Sequence, residues 1–307
     1  MDETSGPLLR LTGRQWTGLV LLFALLAIGF TWLLRPLVAP AALAEPEPMV
    51  AVAEPMEAPA AVAADPEPAV AVAEAPLPPA TPVPFAPDFT GPRIAILLTD
   101  VGDDPAQARA AIAALPAAVG LAFTPYPDVR TLARAAKADG HEVIAGLPMQ
   151  PKSWPRVSPG ANTLTVDADG PENVRRLDWA LARVEGASGV TGIMGSAFTE
   201  SETALRPVLA EVGKRNLAYI DARASGRSAG VATARDAGVR AAANNRFLDE
   251  SGSIAANLAQ LEAQAKREGS AIGYARPLPA TIAALEKWAP TLEAKGMLLV
   301  PPGSLAK

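Results

Sequence analysis

The chain has 307 residues, no cysteine and one histidine, His141. Zinc sites draw on His, Cys and carboxylate side chains, so a zinc centre here would have to be made almost wholly of carboxylates. Serine and cysteine hydrolases set a His beside the nucleophile, and His141 alone is available for that role. Disulfides are excluded, although a domain of this size forms a core without them. Two further absences divide the chain. Residues 16–34 carry no charge, and residues 36–92 carry no base.

The uncharged run 16–34 is long enough for a bilayer core. Trp16 and Trp32 lie near its ends, where amphipathic rings favour the headgroup zone. Arg10 and Arg14 precede it and acidic residues follow, so the positive-inside rule puts the N-terminus in the cytoplasm and the rest outside. Arg35 opposes this weakly. Ala42-Leu43-Ala44 resembles a signal-peptide cleavage site, but the apolar run exceeds a normal signal core and ends well before it. The expectation is a single-pass anchor over 16–35 behind a cytoplasmic tail 1–15. That places the protein in the cytoplasmic (inner) membrane with its folded part extracytoplasmic, or periplasmic.

Residues 36–92 hold 15 of the 31 prolines and eight acids, with near-repeats such as Ala-Val-Ala-Glu-Pro. Proline fixes φ and removes donors, so a disordered acidic Pro/Ala-rich linker is expected. Extended at about 3.1 Å per residue it would reach on the order of 100 Å or more, which suits a spacer. Taking its eight negative charges from the net charge of −5 leaves +3 for the remainder. That balance lacks the clustered basic excess of a nucleic-acid binder.

From Arg93 onward short apolar runs (94–98, 119–123, 142–147, 190–194, 217–220, 239–241, 271–274, 297–300) alternate with helical stretches (104–114, 129–138, 172–184, 200–215, 254–267, 279–295). Val174, Leu177, Leu181 and Val184 recur at helical spacing and define a buried face. Thr199 and Glu202 have the spacing of a capping box, and Pro207 and Pro290 predict a kink or a late break. Strand–helix alternation implies a parallel sheet with right-handed crossovers. Seven or eight such units suit a distorted (β/α) barrel, α/β in class, over 93–307; a doubly wound sheet is the alternative. In either architecture the working face lies at the carboxyl ends of the strands.

Those ends read Leu98-Thr99-Asp100-Val101-Gly102, Gly146-Leu147-Pro148-Met149-Gln150-Pro151, Ile193-Met194-Gly195-Ser196, Ile220-Asp221-Ala222-Arg223 and Gly273-Tyr274-Ala275-Arg276-Pro277. With Ala122-Phe123-Thr124-Pro125-Tyr126, Asp139-Gly140-His141-Glu142-Val143, Pro159-Gly160-Ala161-Asn162-Thr163-Leu164 and Arg176-Leu177-Asp178-Trp179, their order and spacing resemble the divergent polysaccharide deacetylase family over about 93–305. The resemblance implies a polysaccharide-deacetylase-type barrel and carbohydrate chemistry in the cell envelope. It also implies an Asp-Asp pair where this chain has Thr99-Asp100. A Leu-His-Leu-Pro-Met-Glu-Pro segment is Ala145-Gly146-Leu147-Pro148-Met149-Gln150-Pro151 here. His-Met-Gly-Ser is Ile193-Met194-Gly195-Ser196, and Gly-His-Pro is Ala275-Arg276-Pro277.

Metal-assisted deacetylation needs a cation held by three or four ligands, a base for its water and an acid for the leaving amine. Ile193 offers a methyl group in place of a nitrogen, and Arg276 brings a permanent positive charge. The expectation is therefore a pseudoenzyme without cofactor or metal and with no assignable catalytic residue beyond the candidate Asp100. The candidate ligand cleft comprises Asp100, Met149, Gln150, Trp154, Ser196, Asp221, Arg223 and Arg276. Asp100 and Arg276 are expected to form an ion pair in the former metal position or to bind a sugar hydroxyl. Asp221 and Arg223 form a salt bridge, a loop anchor or an anion clamp. Ser196 reads as a turn residue, Trp179 as core, and Trp154 in the loop 148–170 as the sugar-stacking platform. His141, away from the carboxyl-end face, reads as structural. The expected ligand is a polysaccharide or peptidoglycan-type glycan, with envelope proteins as the alternative partners. A rival reading keeps the enzyme active, with Asp103, Asp104 or Asp221 gathering around Asp100 to hold a divalent metal.

Overall fold

The computed structural model describes residues 88–307; the expected tail 1–15, the expected anchor 16–35 and most of the expected linker 36–92 lie outside the described residues. Among the described residues no helix is long and apolar enough to cross a membrane. The apolar runs become strands, and β7 arises outside them: β1 (Arg93–Val101), β2 (Gly120–Phe123), β3 (Val143–Met149), β4 (Gly189–Met194), β5 (Ala218–Asp221), β6 (Ala241–Ala243), β7 (Arg246–Phe247), β8 (Ser270–Ala275) and β9 (Leu298–Leu299). Every pairing is parallel, in the order β6-β5-β4-β3-β2-β1-β8-β7. The helices are α1 (Pro105–Ala114), α2 (Arg130–Ala138), α3 (Gly170–Leu181), α4 (Glu202–Lys214), α5 (Gly230–Asp236), α6 (Ile254–Glu268), α7 (Pro279–Trp288) and α8 (Thr291–Ala294).

Among the described residues no ladder joins β6 to β7, so the sheet is a half-barrel whose edges are stitched by Asn244-Asn245. Asn244 N donates to Asp221 O on one edge, and Asn245 N donates to Ile272 O on the other, both at 2.8 Å. Asn245 Oδ1 accepts from Ile272 N at 2.7 Å. A single stretch of chain thus leaves β5 and lands on β8. The period-2 alternation of β1 sends Ala95 and Leu97 into the lumen with Ile144, Ile220 and Tyr274. Ile94, Ile96 and Leu98 face outward under the helices, among them Leu177, Leu205, Val208 and Leu261. Each such aliphatic side chain contributes about 1.5–3 kcal/mol by leaving water.

Local signals explain most helix ends. Asp104 caps α1, accepting from Ala106 N at 2.8 Å and Gln107 N at 3.2 Å, with Pro105 in the first turn. The cap of α4 is Ser201, whose Oγ accepts from Ala204 N, and not the expected Thr199. Thr199 lies in a preceding 3-10 turn and bonds back to Gly195 O. Pro290 breaks the last helical stretch into α7 and α8 as expected, because it cannot donate within a helix. Short α5 was not signalled by any apolar periodicity.

The run 297–300 does not extend the barrel. As β9 it pairs with the lower edge of β1 at Arg93 and Ile94, below the point where β2 begins at Leu97. The chain then turns under the barrel through Pro302–Leu305. Val300, Leu305 and Ala306 join the lumen cluster, and Lys307 exchanges two backbone hydrogen bonds with Ala241, at 3.0 and 3.1 Å. Glu142 anchors this plug, accepting from Gly303 N at 2.7 Å and Ser188 Oγ at 2.9 Å. Burial pushes the Glu142 carboxyl up, while the Gly303 and Ser188 donors and the Arg240 charge oppose the rise. The folded chain therefore binds this proton more tightly than the unfolded chain does. Its contribution to stability is greatest below the ordinary Glu value of 4.5 and falls as pH rises through the higher folded value. Urea unfolding of wild type and Glu142→Gln from pH 4 to 7 is expected to show a downward slope in the former that flattens in the latter. Equal slopes would refute the assignment.

Candidate functional site

At the carboxyl ends of β1, β3, β4 and β8 lies a cavity of about 380 Å³. Its floor is Tyr274, 1% exposed, whose hydroxyl donates to Ile220 O at 3.2 Å. Having spent its one proton, Tyr274 Oη accepts from Thr191 Oγ1 at 2.9 Å, which ties β8 to β4 and β5 across the lumen. Gly146 and Ile193 form one wall, and Phe247 another. The rim is charged: Asp100, Arg223, Asp249, Glu250 and Arg276.

Arg276 is paired with Asp249, not with Asp100 as expected. The Asp249 carboxylate accepts from Arg276 Nε at 2.9 Å and Arg276 N at 3.1 Å. Asp249 is nearly buried, and its Oδ2 takes both donors, which stiffens the loop after β8 and holds Arg276 firmly protonated. Sequence reasoning missed Asp249 because it follows a two-residue strand and sits in no recognisable pattern. Asp100 has no hydrogen-bond or ion-pair partner for its carboxylate among the described residues. Burial pushes that carboxyl above the ordinary range, Asp103 and Asp249 add to the rise, and Arg276 opposes it.

Of the eight expected cleft residues, Asp100, Arg223 and Arg276 line the cavity. The other five do not. Met149 is 1% exposed and packs against Gly195, and Gln150 Oε1 accepts from Val166 N at 2.7 Å to fix the long loop. Ser196 Oγ accepts from Lys152 N at 3.0 Å, in keeping with a turn residue. Trp154 lies half-buried in that loop, outside the cavity lining. Asp221, 2% exposed, accepts from Arg223 N at 2.8 Å and Ser228 Oγ at 2.7 Å. It is a loop anchor through the Arg223 backbone, and the guanidinium takes no part in a salt bridge with it. His141 is structural as expected: its ring nitrogens face Val119 O and Ile112 O at 2.8 and 3.2 Å.

Backbone conformation marks the same place. Among the described residues five non-glycine residues have left-handed φ, and three of them, Asp100 (57°), Met194 (59°) and Arg223 (52°), line this cavity. Such conformations cost of order 1–3 kcal/mol each and gather where function requires them. No sequence pattern announces them, because none of the three is glycine.

The donor set does not suit a catalytic metal. The residues standing where the family pattern expects Asp, His, His and His are Thr99, Gly146, Ile193 and Arg276, and all four line this one cavity. They supply one hydroxyl, no imidazole and a cation. The carboxylates that a rearranged site would need are committed elsewhere. Asp104 caps α1, Asp103 accepts from Thr124 Oγ1 at 2.6 Å, and Asp221 anchors its loop. Among the described residues no three His, Cys, Asp or Glu side chains converge as a metal site would require.

Residues 96–306 match the sequence profile of the divergent polysaccharide deacetylase family, and the chain belongs to that family. An uncharacterized protein of Haemophilus influenzae is 31% identical over 202 residues, covering 64% of this chain and 71% of its own. The uncharacterized protein YibQ of Escherichia coli is 30% identical over 199 residues, covering 64% of this chain and 61% of its own. The match thus spans less than two thirds of YibQ. A crystal structure of an uncharacterized protein from Agrobacterium tumefaciens is similar with a TM-score of 0.70 and 29% identity, over 73% of this chain and 93% of that one.

Proposed function

We propose that this chain is a catalytically degenerate member of its family that binds glycan in the cell envelope. The observation that carries the reading is the convergence of three strained non-glycine backbones, one of them bearing an unpartnered carboxylate, on an open cavity. A scaffold without a small ligand would have its cleft filled by its own side chains, and this one is open. About 380 Å³ is within the range of small-ligand sites, large enough for a sugar unit, and Phe247 offers an apolar face beside polar rim groups. Asp100 accepts hydroxyls of the sugar, and Tyr274 and Thr191 fix the floor. Without imidazole or clustered carboxylates the site binds without metal and leaves the amide intact. The uncharged run 16–34 with Arg10 and Arg14 before it supports anchorage in the cytoplasmic membrane, and the acidic tether supports an extracytoplasmic, periplasmic domain held away from the bilayer. Polysaccharide or peptidoglycan strands are the ligands within reach, with envelope proteins as further partners.

The test is calorimetry on the full chain in detergent after chelator treatment. Titration with Zn²⁺, Co²⁺, Mn²⁺ and Mg²⁺ is expected to show no stoichiometric binding at micromolar concentration. Titration with N-acetylated and free-amine oligosaccharides is expected to show saturable binding that weakens about tenfold in Asp100→Ala, a loss on the scale of a hydrogen bond to a charged group. Stoichiometric metal uptake would sink the degenerate reading, and absence of any saccharide binding would sink the glycan reading.

A further inference from the structure

Beside the central cavity lies a second one of about 520 Å³, lined by Arg223, Asn244, Asn245, Arg246 and Ser251, and sharing Arg223, Phe247 and Glu250 with the first. The two form one cleft that runs from the strand ends over the stitched seam. The chemistry of the second half differs from the first because donors predominate. Among the described residues Arg246, on β7, has no carboxylate partner; its side chain makes one long bond, from Nη1 to Asn257 Oδ1 at 3.4 Å, and its Nε is buried without an acceptor. Nε itself is enclosed and beyond a ligand's reach; Nη2, without a partner among the described residues and not enclosed, is the donor that Arg246 offers to the cavity. Arg223 carries a second guanidinium with no carboxylate partner, held on a left-handed backbone that Asp221 anchors. Asn245 spends its Oδ1 on Ile272 N and keeps its amide NH₂ unspent. Glu250 opposes this positive field from the edge the two cavities share, and it is exposed, so solvent screens it.

We infer that this second cavity is an anion subsite, and that the cleft takes an acidic glycan whose carboxylate or phosphate is held by Arg223 and Arg246 while a neighbouring sugar unit occupies the central cavity. The inference rests on the glycan reading and narrows it to anionic saccharides. Guanidinium groups suit it because their planar fork matches carboxylate and phosphate oxygens in pairs, and because they stay charged at any physiological pH. Phe247, on the shared wall, gives the two adjoining sugar units a common apolar surface.

The experiment is calorimetry on the full chain in detergent with oligogalacturonate, a cello-oligosaccharide of equal length, glucose 6-phosphate and inorganic phosphate. Wild type, Arg223→Gln, Arg246→Gln and the double variant are compared, with thermal melts to confirm folding. The expected result is that oligogalacturonate or the sugar phosphate binds at least tenfold more tightly than the neutral saccharide. The advantage shrinks in each single variant, disappears in the double variant and weakens as salt rises. Whichever acidic ligand binds more tightly identifies carboxylate or phosphate as the anion. Equal affinity for neutral and acidic saccharides, unchanged in the variants, overturns the anion subsite and leaves the glycan reading standing. Binding of inorganic phosphate lost in the double variant, with no saccharide bound, keeps the anion subsite and removes the glycan reading. Binding of none of the four overturns both. If Arg246→Gln fails to fold, Arg223→Gln on its exposed loop carries the comparison.

Discussion

Leu305→Ala is expected to cost about 2–5 kcal/mol of unfolding free energy, although Leu305 lies two residues from the end of the chain. The side chain is 9% exposed and belongs to the lumen cluster with Leu97, Ile144, Ile220 and Tyr274. The strand pairs and helices pack around the lumen from the sides, so little can collapse into the space that truncation leaves beneath it. The surrounding backbone is also held, by the Ala241–Lys307 exchange above and by Gly303 on Glu142 beside it. Arg206→Ala provides the comparison: its ion pair with Glu202 is exposed on α4 and is worth about 0–1 kcal/mol. Urea denaturation of the two variants measures both. A loss below about 1 kcal/mol for Leu305→Ala, at the low end even of Ile→Val changes, would show that the plug lies outside the cooperative unit. Because Tyr274 floors the cleft and shares the cluster with Leu305, the same variant is expected to weaken the saccharide binding proposed above.

The strands and helices were legible in the sequence to the degree that each carried its own pattern. The runs around Ile94, Val190 and Ala271 are continuous because those strands are covered on both faces, and continuous runs are easily read. β7 is two residues long and half-polar, so Arg246-Phe247 gave no signal, and the stitched seam was invisible. That single omission hid much of the cleft, since Phe247, Asp249 and Glu250 all follow from where β7 lands. The positions singled out by motif resemblance, Thr99, Asp100, Gly146, Ile193 and Arg276, line one cavity. The sequence reading misjudged their pairing, because the choice between Asp100 and Asp249 as the Arg276 partner depends on loop geometry rather than on spacing. Gln150, Ser196 and Asp221 were polar residues near strand ends that proved to serve backbone groups. A loop-rich rim needs such anchors, and sequence alone does not separate anchors from ligands.

Gly146→Ala is expected to destabilise the domain by about 1–3 kcal/mol, the ordinary cost of overpacking. A Cβ at this position would lie 2.7 Å from Ile193 Cδ1 and 2.9 Å from Phe123 O. Ile193 thus occupies the space that any side chain at 146 would enter, and the two positions form a matched small–large pair across β3 and β4, two residues out of register and so on the same face of the sheet. The physical consequence is that a side chain at 146 requires Ile193 to move or shrink. Pairing Gly146→Ala with Ile193→Ala tests this, because the second change removes the nearer obstacle and leaves the Phe123 carbonyl in place. The double variant is expected to be more stable than the sum of the singles predicts by about 0.5–3 kcal/mol, the coupling typical of residues in contact. It should remain less stable than Ile193→Ala alone, since backbone cannot withdraw as a side chain can. Additive losses would mean that the wall of the cleft is not held by the packing of these two residues. Coupled losses would mean that the Gly146–Ile193 contact holds this wall of the cleft.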